Sequence, residues 1–224
     1  MNKAFIFDMD GVLIDTERAW DGHEKGILVA SFGRNVAEKI GDTVGVSINA
    51  IYEKATALGA DADYDEYRQR YDEGARTVFA RAMITPGVDR LVEKVLTLDF
   101  RLGLVSSSPR TWINYVLARL PFADQIEHIV SINDNPDLKS KPAPDGYLAA
   151  FKQLGANPRR SVVLEDSNPG IMSGKSAETY VIGFRGNLLP GYEQTGADAY
   201  ADTMDDVCRL VEKFDVRGES EVVD

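Results

Sequence analysis

Short runs of branched and aromatic apolar residues recur along the chain, each closed by a turn: KAFIFD (3–8), FRLGLVS (100–106), IEHIVSI (126–132), SVVLED (161–166) and TYVIGF (179–184). Runs this short and this continuous predict strands buried on both faces, the habit of a parallel sheet. Between them apolar residues return at helical spacing, in VDRLVEKVLTL (88–98), TWINYVLARL (111–120), YLAAFKQLG (147–155) and IMSGKSAE (171–178). Strand and helix in alternation predict an α/β fold, with an open doubly wound parallel sheet and helices on both its faces.

One stretch breaks the rhythm. Residues 16–85 carry helical patterning and few strand signals, as in WDGHEKGILVASFG and YDEYRQRYDEGARTVFARAM, before the alternation resumes at ITPGVD. The expectation is a helical cap at 16–85 inserted into a core made of 1–15 and 86–217, with Pro86-Gly87 marking the return. The polar end, 218–224, is expected to be a flexible tail. No internal repeat or low-complexity tract interrupts this plan.

Composition narrows the function classes. The chain has 224 residues, 44% hydrophobic and 27% charged, the balance of a globular protein with a sizeable core. A formal net charge of −11 disfavours nucleic acid and anionic membranes as partners, since both demand a positive surface. No apolar run approaches a membrane span, and the N-terminus meets acidic residues too early for a signal peptide, so the expected location is cytoplasmic. The single cysteine, Cys208, forms no internal disulfide and reads as packing in VCRLVEKF.

In such a sheet the ligand crevice lies beyond the carboxyl ends of the strands, where strand order reverses. Polar residues gather at those ends: Asp8, Asp10 and Gly11 after the first strand, Ser106 to Ser108 after the second, Glu165, Asp166 and Ser167 after SVVL. Lys141, before a proline-bounded helix start, is placed to lean over the same edge. Carboxylates brought together repel unless a cation compensates, and magnesium suits an all-oxygen set such as Asp8 and Asp166. Ser106, the Ser107 amide and Lys141 then form a candidate clamp for a transferring phosphoryl group. A carboxylate at Asp8 can attack phosphorus, while Asp10 protonates the leaving alcohol and later deprotonates water.

FIFDMDGVLIDTE, GLVSSSPR, KSKPAPDGY and VVLEDSNPGI, in this order, resemble the four motifs of the haloacid dehalogenase superfamily. The resemblance covers the whole core and is similar in plan to the helical-cap subfamily of phosphoglycolate and sugar-phosphate phosphatases, phosphonatases and β-phosphoglucomutase. It implies a Rossmann-like core and a magnesium-dependent phosphatase working through an aspartyl-phosphate. Position by position it implies Asp8 as nucleophile and metal ligand, and Asp10 as acid/base and backbone ligand. Ser106 and Lys141 would hold the phosphoryl group, Asp166 would complete the ligands, and Glu165 would orient the metal's waters. Asp10 is absent from the dehalogenase branch, so dehalogenation is disfavoured. Thr16, Glu17, Trp20 and His23 are the expected leaving-group contacts. The partner is a small phosphorylated metabolite, met by a monomer or weak dimer.

Rival readings attach to particular residues. A phosphomutase resembling this family grips a distal phosphate with a cap arginine, where this chain has Ile48; Arg34 and Lys39 are the substitutes in reach. A phosphonatase needs a cap lysine, which Lys25, Lys39 or Lys54 would supply. A non-catalytic phosphate- or partner-binding module is the third alternative. The acidic stretch DADYDEYRQRYD (61–72) has Glu66 where a calcium loop needs glycine and reads as a solvated helix start. His23 and His128 read as ordinary packed or exposed histidines, and Asn133 to Asp137 as a turn.

Overall fold

The computed structural model describes residues 2–43 and 46–220, and for 17, 18, 21, 22 and 217–220 it describes the backbone alone. Six strands form one parallel sheet: β1 (Lys3–Phe7), β4 (Phe100–Ser106), β5 (Ile126–Ser131), β6 (Val162–Glu165), β7 (Tyr180–Phe184) and β8 (Ala199–Ala201). Their order is β5-β4-β1-β6-β7-β8. The chain therefore moves outward one way from β1 through β4 and β5, then returns to build β6, β7 and β8 on the other side. The reversal falls on either side of β1, which puts the crevice at its carboxyl end.

Register is fixed by burial on both faces. Phe5 and Phe7 point into one core with Leu102, Leu104 and Leu164, while Ala4 and Ile6 point into the other with Val105 and Val163. A slip of one residue would exchange the two sets, so the pairing of Phe5 with Leu102 and Val162 is strongly specified. Helices α5 (Val88–Thr97), α6 (Arg110–Leu117) and α9 (Met204–Ser220) pack on the first face; α7 (Asp145–Leu154) and α8 (Asn168–Ser176) pack on the second. Gly103 lets α7 approach, since a β-carbon there would meet Leu154 at 3.1 Å and Ile6 at 3.3 Å.

Between the two-residue strands β2 (Ile14–Asp15) and β3 (Met83–Ile84) stands a bundle of four helices: α1 (Glu17–Phe32), α2 (Arg34–Ile40), α3 (Ile48–Ala57) and α4 (Tyr64–Arg81). β2 and β3 pair antiparallel and tie the two chain crossings together. Ser47 caps α3 by accepting from the Ala50 amide, and Asp63 caps α4 by accepting from the Glu66 amide. The bundle has its own aromatic interior, where Tyr67 packs on Phe32, Tyr52 and Tyr71. Its α3 and α4 touch the core: Asn49 Nδ2 donates to the Asn133 carbonyl at 3.0 Å, and Trp112 Nε1 of α6 donates to Asp72 Oδ1 of α4 at 2.6 Å.

Three features differ from the pattern of the sequence. β8 was too short to stand out, being three residues in a stretch rich in glycine and aspartate. β2 and β3 are shorter still. Helix α9 runs on through Ser220, three residues into the stretch expected as a tail, and 221–224 lie outside the described residues. Cys208 sits half-buried on α9 against the core.

Candidate active site

The chain leaves β1 at Asp8 and turns at once, because Met9 accepts through its carbonyl from the amides of Val12 and Leu13, and Gly11 adopts φ 73°. The turn returns the Asp10 side chain to the same edge as Asp8. Lys141 arrives from the loop before α7, fully withdrawn from solvent, and its ammonium donates to Asp8 Oδ1 and to Glu165 Oε1, each at 2.5 Å. A buried ammonium between two buried carboxylates is a charge arrangement that burial alone would reject. Burial pushes the Asp8 carboxyl up, against the pull of Lys141, and Glu165 pushes it further.

Glu165, at the end of β6, is saturated. Its Oε1 accepts from Lys141 and from the Tyr147 hydroxyl at 2.6 Å, and its Oε2 accepts from the amides of Asp166 and Ser167 and from the Ser167 hydroxyl. Gly170 is part of the same fit, since a β-carbon there would lie 1.9 Å from Glu165 Oε1. Asp10 is held from two sides: Thr16 Oγ1 donates to Oδ1 and Ser108 Oγ to Oδ2, both at 2.8 Å. Burial pushes its carboxyl up, more than these two hydroxyls pull it down. Ser106 is buried at the end of β4, and its hydroxyl accepts from the Ser108 amide at 3.0 Å.

One carboxylate oxygen from each of Asp8, Glu165 and Asp166 lies within 4.8 Å of the others, and all three residues are buried. An all-oxygen anionic set of this kind fits a hard divalent cation. Since five donors already engage Glu165, the two carboxylates best suited to ligate are Asp8 and Asp166. The backbone around them is braced: Gln194 Nε2 donates to the Asp166 carbonyl at 2.6 Å, and Asn187 Nδ2 to the Gly11 carbonyl at 3.1 Å.

Asp8, Asp10, Ser106, Ser107 and Asp166 open onto a cavity of about 530 Å³ whose far wall comes from α1, α2 and α3. Lys141 and Glu165 do not line the cavity and stand behind Asp8. Of the four expected leaving-group contacts, Trp20 lines the cavity, stacked on Trp112 with centroids 5.4 Å apart. Thr16 does not face it; it is buried and positions Asp10 instead. His23 is exposed on α1, its Nδ1 3.1 Å from the Ala19 carbonyl, and is not in the wall; the side chain of Glu17 lies outside the described ones. Lys25, Arg34 and Ile48 line the cavity, whereas Lys39 and Lys54 do not. Asn133 to Asp137 serves as a turn whose Asp134 carboxylate accepts from the Arg110 amide at the start of α6.

Some participants carry no mark in the sequence. Tyr147 reads as one of the apolar positions of α7, and only its reach to Glu165 gives it a polar role. Ser108 reads as a helix cap. Asn187 and Gln194 sit in a loop of no recognisable pattern, and Glu24 is one of three acidic residues on α1.

Buried carboxylates around a buried ammonium, at the carboxyl edge of a doubly wound sheet and beneath a helical insertion, define an α/β protein with an acidic, cation-compensated site at its sheet edge. The chain belongs to the haloacid dehalogenase-like hydrolases, whose family description matches residues 5–184. It is 32% identical over 189 residues to hexitol phosphatase B of Escherichia coli, spanning 78% of this chain and 79% of that one. It is 28% identical over 209 residues to β-phosphoglucomutase of Bacillus subtilis, 88% and 87% of the two chains. In fold it superimposes on the crystal structure of a hydrolase from Pseudomonas syringae with a TM-score of 0.77, at 20% identity, over 95% of this chain and 99% of that one. Among the described residues no helix is long and apolar enough to cross a membrane.

Proposed function

We propose that the protein is a magnesium-dependent phosphatase that hydrolyses a small phosphate ester through an aspartyl-phosphate on Asp8. The observation that carries this is the contact of Lys141 with Asp8 and Glu165, which sets a fixed positive charge beside a carboxylate, Asp8, that faces the cavity. Asp8 Oδ attacks phosphorus, forming an acyl-phosphate as the ester bond breaks. Asp10, whose burial favours its protonated form, gives its proton to the departing alkoxide. The same carboxylate then takes a proton from water as that water attacks phosphorus and frees Asp8. Ser106, the Ser107 amide and Lys141 hold the phosphoryl oxygens, and Glu165 holds Lys141 in place.

Asp8, the Asp10 carbonyl and Asp166 would hold magnesium. Bound there, the ion supplies positive charge against the phosphoryl oxygens. Residues 16–85 act as the cap over a core of 1–15 and 86–217, selecting the leaving group and excluding water from the first step. The relatives that act on hexitol and other sugar phosphates support a phosphorylated polyol or sugar as the substrate.

The mutase reading is supported by the β-phosphoglucomutase relative; the cavity presents apolar Ile48 where that reading needs a cation, and Arg34, also in the lining, is the substitute it would use. A non-catalytic module has no use for an acid held as Asp10 is. Hydrolysis of p-nitrophenyl phosphate with magnesium tests the proposal: wild type is expected to turn over and Asp8→Asn to fall to background. Absence of turnover of every phosphate ester by wild type would end it.

A further inference from the structure

The cap end of the cavity contains a carboxylate. Glu24, on the inward side of α1, lines the same space as Asp8, half-buried, and is held by two hydroxyls from different elements. Tyr71 of α4 donates to Oε1 at 2.8 Å, and Thr43, just beyond α2, donates to Oε2. Tyr71 is itself fully packed, so this contact fixes where the Glu24 carboxylate points. Beside it, the stacked indoles of Trp20 and Trp112 form an apolar panel, and Trp112 is anchored from behind by Asp72.

An anion built into the pocket of a substrate that is itself dianionic must serve the leaving group. Resting on the phosphatase reading, we infer that Glu24 determines specificity: the substrate is a monophosphate ester of a neutral polyol. Hydroxyl groups of the polyol donate to Glu24, and its carbon-bound hydrogens lie on Trp20. A second phosphate on the leaving group would sit against Glu24 and be rejected. Lys25 and Arg34 do not reverse this, because both are exposed at the mouth, with Glu38 and Asp42 exposed among them. A cationic leaving group is also disfavoured. The indoles stack on one another instead of enclosing a cage for a cation.

The test compares kcat/KM for glucitol 6-phosphate, glucose 6-phosphate, fructose 1,6-bisphosphate, phosphocholine and p-nitrophenyl phosphate, in wild type and in Glu24→Gln. Wild type is expected to favour at least one of the two polyol monophosphates over the bisphosphate and over phosphocholine by at least about ten-fold. Glu24→Gln, which keeps the size of the side chain, is expected to lower kcat/KM for that polyol phosphate, through KM, at least about ten-fold more than for p-nitrophenyl phosphate. Preference for the bisphosphate or for phosphocholine, or a loss in Glu24→Gln that is the same for all substrates, overturns the inference while leaving the phosphatase standing. No turnover of any of the five removes the phosphatase reading and this inference with it.

Discussion

A β-carbon added to Gly11 would lie 1.8 Å from Asp166 Oδ2. The turn after β1 and the acidic end of β6, 155 residues apart in sequence, therefore approach so closely that only a glycine fits between them. Gly11 also holds φ at 73°, a conformation that costs an L-residue roughly 1–2 kcal/mol. In Gly11→Ala both penalties fall on the group that would hold the metal. Its kcat/KM for p-nitrophenyl phosphate is expected to drop at least about ten-fold, and its unfolding midpoint to fall. Wild-type activity in this variant would contradict the close packing.

Among the described residues, Lys141 is the ion-pair partner of two buried carboxylates, Asp8 and Glu165. Removing it in Lys141→Met leaves both uncompensated, at a cost of about 3–5 kcal/mol. The expected measurement is a lower denaturation midpoint at unchanged slope. Adding Glu165→Gln to Lys141→Met should restore part of the loss, because one of the stranded charges is gone. Strict additivity of the two substitutions would mean that the ion pairs are not coupled.

Tyr147 gives Glu165 a neutral donor from the packed side of α7, with its ring 5.4 Å from the Lys141 ammonium. Tyr147→Phe keeps the ring and loses the hydroxyl, at an expected cost of about 1–3 kcal/mol for the unmatched acceptor. Turnover should fall with it, as Glu165 draws Lys141 away from the phosphoryl group. Equal kcat in Tyr147→Phe and wild type would confine the residue to packing.

Asp8 and Asp166 together suit a hard cation, so magnesium should stabilise the folded state by mass action, by about 2.7 kcal/mol at a hundred-fold excess over the dissociation constant. Thermal melts with and without magnesium, and after chelation, measure this without reference to turnover. Asp166→Asn is expected to lose most of the shift, and an undiminished shift would place the ion elsewhere.

The sheet was legible because its strands are buried on both faces, which leaves unbroken apolar runs such as KAFIF and VVLE. Helix α7 was legible at its start, from the prolines before it, whereas Gly155, read as part of the helical run, takes the left-handed conformation that ends it. β8, with three residues, offers no such signal, and the extent of α9 past Arg217 depends on packing that composition does not reveal. The residues at the strand ends stood out for the same reason as the strands: a polar group after a buried apolar run marks the crevice edge.

What the sequence determined alone was the five longer strands and the helices between them, the helical stretch between the first and second of those strands, and the chemical types gathered at the sheet's edge. These follow from local periodicity and from the positions where apolar runs stop. Only the tertiary structure decided which partner each polar group meets. It brought Thr16 to Asp10, Tyr147 to Glu165, and Glu24 to the cavity. Each of those contacts joins two elements whose relative placement is set by core packing, and no periodicity along the chain encodes the distance between them.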